Sequence, residues 1–248
     1  MTMPRRSERT PAFRVLAGAV VPFITAVADV RLHHAERLPQ RGAFVLAPNH
    51  YSEIDPLVVG TAVWKAGRAP RFLAKESLFR VPLLGRIMRA TGQIPVDRGG
   101  IARGADPMAA ARALVADELA VIIYPEGTLT RDPELWPMRG KTGAVRMALQ
   151  AGVPVIPVAH WGAQELMPRY AKGIRPFPRK RIDVVFGEPV DLDAYRRGSL
   201  DQATLLGATE AVMQTITGML GELRGAEPPA ERWDPAKRGQ SETGRFDG

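Results

Sequence analysis

The sequence predicts an α/β fold, a mixed sheet flanked by helices, with an N-terminal membrane-associated helical segment. Three observations carry that expectation. Short apolar runs recur along the chain and alternate with segments of helical composition, the pattern of a layered sheet-and-helix structure. The 248 residues are 45% apolar, enough for one substantial core. Arg5, Arg6, Arg9 and Arg14 precede an apolar stretch from Val15 to Ala28 that is broken only by Gly18, Pro22 and Thr25.

That first stretch has three readings: a helical membrane anchor, a buried core helix, or a signal peptide cleaved near Ala26-Val27-Ala28. It is shorter than the ~20 residues a bilayer span requires, and Pro22 interrupts it, so an interfacial or re-entrant helix is expected rather than a clean span. The arginines would then sit against anionic head groups on the cytoplasmic side. The expected organisation is a membrane-associated segment over residues 1–35, a main domain over 36–225 and a disordered tail over 226–248. His33 and His34 fall at the junction where the chain leaves the first helix.

Gly42 to Ala47 reads as a short buried strand stopped by Pro48. A helix follows from Pro56 to Val63, with Asp55 as N-cap and proline at the first helical position. Arg71 to Ala74 is a second strand, and Ile94 to Arg98 closes a basic passage. A helix is expected from about Pro107 to Glu118, where alanines raise helix propensity. Ala120 to Tyr124 is a buried strand that ends at Pro125-Glu126-Gly127. The helix Gly143 to Gln150 leads into the apolar strand Val153 to Val158, and Ile182 to Phe186 alternates as a half-buried strand. Ser199-Leu200-Asp201-Gln202 opens a long helix whose stripe Leu205, Val212, Ile216, Leu220 and Leu223 ends at Gly225. From Ala226 the composition is too polar to bury a core.

Composition removes several function classes. The chain has no cysteine, so disulfides, thiolate nucleophiles, iron–sulfur clusters and Cys-ligated zinc are excluded. Its four histidines, His33, His34, His50 and His160, share no metal-ligand spacing, and no cofactor is expected. The net charge of +8 implies attraction to something anionic, whether nucleic acid, a membrane surface or phosphorylated substrates, and does not choose among them. Nine basic residues between Lys65 and Arg103 face only Glu76 and Asp97 there. That stripe suits lipid head groups, coenzyme A phosphates or an acidic carrier protein, or is a solvated basic face. Nucleic acid is not expected, because no recognised module is present and aromatics are 6% of residues. Gly140-Lys141-Thr142 has the end of a phosphate-binding loop, but Leu135 stands where its first glycine is required.

The chemistry points to Asn49-His50-Tyr51-Ser52-Glu53-Ile54-Asp55-Pro56. On a continuous helix the two side chains at positions 50 and 55 would be about 140° apart and unable to meet. Pro56 biases Asp55 away from helical dihedrals, so a turn can fold the carboxylate back onto the imidazole. A carboxylate on one ring nitrogen fixes the tautomer and supports the imidazolium formed when the other nitrogen takes a proton. Otherwise His50 is an ordinary loop histidine and Asp55 only a helix cap.

Three further blocks follow in order: Gly92 to Arg98, Tyr124-Pro125-Glu126-Gly127-Thr128 and Val153 to Val158. With them the chain resembles the 1-acylglycerol-3-phosphate O-acyltransferase family, over about Leu38 to Val190. The resemblance implies an O-acyltransferase in phospholipid synthesis, with His50 as general base and Asp55 orienting it. Arg98 would grip the acceptor's phosphate, and Glu126, Gly127 and Thr128 would line the glycerol phosphate site. Lys75, in Phe72 to Phe79, resembles a family stretch near the active site and is a further binding candidate. Val153 to Val158 matches the fourth motif and reads equally well as a core strand. The implied partners are acyl-CoA or acyl carrier protein as donor, a glycerol phosphate or lysophospholipid as acceptor, and an anionic membrane surface at the cytoplasmic face. One departure stands out: Leu129 follows Glu-Gly-Thr where the family commonly has arginine. Arg131, Arg139 or Lys141 could restore that charge, and each reads equally well as solvated surface. Two rivals remain, an acyltransferase for glycerol 3-phosphate or another lysolipid, and a noncatalytic membrane-binding protein.

Overall fold

A computed structural model describes residues 8–96, 113, 115–241 and 244. Strand β2 (Phe44–Pro48) shows why the sheet forms where it does. All five of its residues are buried. Phe44 and Leu46 belong to one core with Ile122, Ile156 and Val158, whereas Val45 and Ala47 belong to another with Val121 and Val155. A strand covered on both faces reads as a continuous apolar run, because side chains alternate between two equally dry layers. Each large side chain fully buried this way contributes about 1.5–3 kcal/mol.

The described strands form one seven-stranded sheet in the order β1-β7-β6-β2-β5-β3-β4. They are β1 (Ala28–His33), β3 (Arg71–Lys75), β4 (Ile94–Val96), β5 (Ala120–Ile122), β6 (Val155–Trp161) and β7 (Lys180–Phe186). All neighbours run parallel except β6 and β7, so the sheet is mixed and flanked by helices as expected. Helices α1 (Pro11–Val27) and α2 (Asp55–Lys65) cover one face. The helix Gly143–Ala151 and the long helix Gln202–Arg224 cover the other. The register Leu46↔Ile122 and Pro48↔Val158 brings the C-terminal ends of β2, β5 and β6 to one edge. Asn49-His50, Tyr124-Pro125-Glu126 and His160 therefore emerge together. The helix expected over Pro107 to Glu118 lies mostly outside the described residues, as does Arg98.

The N-terminal expectation requires correction. Among the described residues no helix is long and apolar enough to cross a membrane. At 17 residues α1 is about 25 Å long, short of a ~30 Å hydrocarbon layer. Part of its apolar content is used inside the domain: Phe13, Ala17 and Ile24 are buried and the helix packs on α2, while Val15 and Phe23 are exposed. Thr10 caps it by accepting from the Phe13 backbone N–H at 3.3 Å. The residues after it are also not a junction. Ala28 to His33 form edge strand β1, and the His33 ring meets the Asp183 carboxylate of β7 at 2.8 Å.

The turn after β6 depends on Gly162, whose φ is +109° and whose position would put a Cβ 2.1 Å from the Arg181 carbonyl oxygen. Gly162→Ala should therefore lower stability by roughly 2–4 kcal/mol through strain and displacement of β7. A urea unfolding midpoint equal to that of the parent would refute this. After the long helix, where composition predicts disorder, the Trp233 carbonyl accepts from the Arg139 backbone N–H at 2.8 Å. The Trp233 indole donates to Gln240 at 3.0 Å.

Candidate active site

The loop from Asn49 to Ile54 leaves β2 without helical geometry, and the expected turn brings His50 Nδ1 within 3.0 Å of Asp55 Oδ2. Asp55 is not the cap of α2 but its first residue, and its carboxylate faces back across the loop. The same Oδ2 accepts from the backbone N–H groups of Tyr51 and Ser52, each at 2.8 Å. A carboxylate oxygen only accepts, so Nδ1 carries the proton and Nε2 is the basic nitrogen of His50. Asp55 is fully buried, and the His50 side chain retains 13% exposure. The charged partner is thus dry and fixed while the imidazole stays reachable.

A second carboxyl holds the same loop from the opposite side. Glu126 Oε1 accepts from the His50 backbone N–H at 2.9 Å, and Oε2 accepts from the Met138 N–H at 3.0 Å. Glu126 has no exposed surface, and burial pushes its carboxyl up to about 8 against the lowering effect of those two N–H donors. The Thr130 hydroxyl, which donates to the Trp136 carbonyl at 2.6 Å, also lies against this carboxyl and acts to lower its pKa. The Thr130 backbone N–H completes the brace by donating to the His50 carbonyl at 2.7 Å.

Behind Asp55 stands His160, fully buried and bonded reciprocally to Asn49: its N–H donates to Asn49 Oδ1 at 2.9 Å, and Asn49 Nδ2 donates to its carbonyl at 3.1 Å. Its Nε2 lies 2.9 Å from the Asn49 carbonyl and so carries a proton, leaving Nδ1 to meet the Tyr51 hydroxyl at 3.0 Å. Burial lowers the His160 pKa, which keeps this imidazole neutral. It positions; it is not placed to exchange protons with solvent.

Tyr124 stacks on the His50 ring at 4.0 Å between centroids, and Phe72 stacks on Tyr124 at 6.3 Å. These rings border an apolar cavity of about 550 Å³ enclosed by α1, α2, β3 and the helix α4 (Pro82–Ala90). Phe13, Val20, Leu57, Trp64 and Met88 supply its walls, and Lys75, exposed at the end of β3, sits at its border. The cavity falls within the usual 300–1,000 Å³ of small-molecule sites. The structure thus joins His50, Asp55 and Glu126 directly and places Lys75 on the His50 cavity. Gly127 takes φ +72°, and Lys141 packs 3.1 Å from where its Cβ would be. Thr128 is buried, and its hydroxyl reaches the Gly244 carbonyl.

Leu129 is buried at 6% exposure. Of the three cations considered to replace an arginine there, Arg139 pairs with Asp234 at 3.3 Å, and Lys141 lies along Gly127. Arg131 is buried at 2% and donates to the Gly244 carbonyl. Sequence reasoning gave no role to Tyr124 or to the Asn49–His160 pair. A tyrosine ending the strand next to the histidine's strand was a usable signal for the first. The second depends on the register of β2 with β6, which no local pattern encodes.

The acyltransferase family model matches residues 29–161. The chain is 31% identical over 186 residues to the 1-acyl-sn-glycerol-3-phosphate acyltransferase of Haemophilus influenzae, covering 74% of this chain and 72% of that protein. It is 28% identical over 187 residues to the enzyme of the same name from Limnanthes douglasii, covering 75% of this chain and 63% of that one. The chain spans less than two thirds of the length of the first plant relatives it matches. The crystal structure of the 1-acyl-sn-glycerophosphate acyltransferase PlsC from Thermotoga maritima superposes with a TM-score of 0.60 at 22% identity, covering 87% of this chain and 83% of that one, a likeness of fold.

Proposed function

The chain belongs to the acyltransferase family that includes the 1-acyl-sn-glycerol-3-phosphate acyltransferases, and from that membership we propose that it transfers a fatty-acyl group from an acyl thioester to a hydroxyl of a lysophosphatidate. The observation that carries the reading is the His50–Asp55 pair at the border of an apolar cavity. His50 Nε2 takes the proton of the acceptor hydroxyl as its oxygen bonds to the thioester carbonyl carbon. The tetrahedral intermediate collapses with cleavage of the C–S bond, and the departing thiolate takes the proton back from the imidazolium. No covalent bond to the protein forms. Asp55 holds the tautomer and balances the transient charge. Glu126, with both oxygens on backbone donors, acts by positioning the His50 loop. Arg98 and Lys75 remain the proposed contacts to phosphate groups of acceptor and donor.

The cavity suits the acyl chain of the donor, a coenzyme A or carrier-protein thioester. Gly60 lines it, and a Cβ there would make ordinary 3.5 Å contact with the Phe72 ring. Gly60→Leu should fold and reduce kcat/KM for long-chain donors by about tenfold or more relative to short ones. Unchanged chain preference in a donor panel would remove the cavity from the reading. Leu78, Val81, Leu83 and Leu84 are exposed beside Arg80, Arg86 and Arg89 on the short helix α3 (Glu76–Phe79), on α4 and in the two residues between them. This mixture supports docking on an anionic membrane surface at the cytoplasmic face, where lysolipid acceptors reside. The buried Leu129 favours testing a second acceptor class. Radiolabelled acyl-CoA with lysophosphatidate and glycerol 3-phosphate in competition decides between them, and absence of transfer to either would sink the proposal.

A further inference from the structure

His50 and Tyr124 leave the ends of β2 and β5, Phe72 belongs to β3, and these three strands are neighbours in that order. Their rings stand in one row bordering the cavity. The His50 and Tyr124 planes differ by 23° with centroids 4.0 Å apart, and Phe72 lies 6.3 Å beyond Tyr124 at 12°. The Tyr124 hydroxyl is buried and meets no hydrogen-bond partner among the described residues. An unsatisfied hydroxyl costs stability, so what recommends this residue is the contact of its ring. Burial above all, and the Asp55 carboxylate after it, push the phenol well above its ordinary value, so the ring stays neutral with an electron-rich face.

Face-to-face stacking is the poorer arrangement for two neutral rings, because their electron-rich faces oppose one another. It becomes attractive when one ring is a cation, and more so in a site removed from water. A general base begins neutral and is positively charged at the tetrahedral intermediate, and the His50 side chain is only 13% exposed. The stack therefore strengthens as the reaction proceeds, which is the kind of contact that speeds a chemical step.

We propose that the face of Tyr124, backed by Phe72, stabilises the His50 imidazolium across its ring while Asp55 does so in the ring plane, and that Tyr124 thereby tunes the basicity of Nε2. The inference rests on the acyltransferase reading for the reaction it serves, but the contact itself does not. Tyr124 acts through His50 and not on the substrate. The other titratable groups nearby are held independently of it. Asp55 is bonded to the His50 loop, and Glu126 accepts from the His50 and Met138 N–H groups. His160, whose Nε2 lies 3.9 Å from Asp55 Oδ2, is bonded to Asn49 and to the Tyr51 hydroxyl. Lys75 stands at the cavity border. A substitution at position 124 leaves all of these bonds in place.

The experiment follows proton uptake by His50 in the full chain by NMR, its signal being the one of four histidine signals that His50→Ala removes. Tyr124→Leu should move the midpoint of that titration down by about 0.7–1.5 pH units, and Tyr124→Phe should restore it. With acyl-CoA and lysophosphatidate, Tyr124→Leu should lower kcat about 5- to 30-fold, the acidic limb of the kcat/KM profile moving with the NMR midpoint. Lower kcat with an unmoved midpoint would reduce Tyr124 to a packing residue and overturn the proposal. An equal downward move in Tyr124→Phe would overturn it too, by assigning the effect to the hydroxyl. A moved midpoint in a chain whose parent transfers no acyl group would sink the enzymatic reading and leave the stack standing. If Tyr124→Leu does not fold, Tyr124→Met carries both arms.

Discussion

His50→Ala should lower kcat by about 10²- to 10⁴-fold, the usual contribution of a positioned general base, with acceptor KM little changed. The ring contributes the basic Nε2 and stacks on Tyr124, while the loop carrying it is held by its backbone through Glu126 and Thr130. Truncation at Cβ leaves those backbone bonds intact, so the loss falls on the chemical step rather than on the fold. Asp55→Asn makes a sharper probe of charge. All three donors to the carboxylate, His50 Nδ1 and the N–H groups of Tyr51 and Ser52, use the single atom Oδ2. An asparagine oxygen can take that position and keep the geometry while removing the charge that supports an imidazolium. Its kcat should fall by roughly 10- to 10³-fold. Steady-state assays of both variants check this, and full turnover by His50→Ala would end the general-base assignment.

Glu126→Ala should destabilise the protein by about 2–5 kcal/mol, since it leaves the His50 and Met138 N–H groups buried without their acceptor. Activity should fall with it because the His50 loop loses one of its two braces. The companion Glu126→Gln isolates the ionisation. Burial raises the carboxyl from 4.5 to about 8, so between those values the folded chain holds a proton that the unfolded chain has released. That contribution to stability is complete below about pH 4.5 and is lost as pH rises through 8, each unit crossed being worth up to ~1.4 kcal/mol. Glutamine removes the slope but can satisfy only one of the two donors. It should be less stable than the parent at pH 5 and should close the gap, or reverse it, by pH 9. Parallel stability curves in urea at pH 5, 7 and 9 would show that Glu126 does not titrate in this range.

The central strands were legible because burial on both faces leaves nothing but apolar residues at Phe44 to Ala47, Ala120 to Ile122 and Val155 to Ile156. Strand β1 was not. Ala28-Asp29-Val30-Arg31-Leu32-His33 alternates as an edge strand should, yet it follows directly on an apolar helix and was absorbed into a membrane reading. Apolar residues cannot by themselves report whether their dry neighbour is lipid or protein. The helix that covers the cavity and a helix lying in a bilayer present the same composition. At the site, the proximity of His50 and Asp55 was argued from Pro56 and the turn it forces, and the structure has that contact. The burial of Glu126 could not be read, since a glutamate in a loop is ordinarily solvated. Only the meeting of β2 and β5 makes it a bridge between two backbones.

Edge strand β1 pairs along its whole length with β7, Ala28 with Lys180 and His33 with Val185, so the first strand of the sheet waits for the last. During synthesis the ribosome must deliver some 150 further residues before β1 finds its hydrogen-bonding partner, and closing so long a loop slows assembly. Until then α1, whose Phe13, Ala17 and Val20 line the cavity, has α2 to rest on but no paired strand behind it.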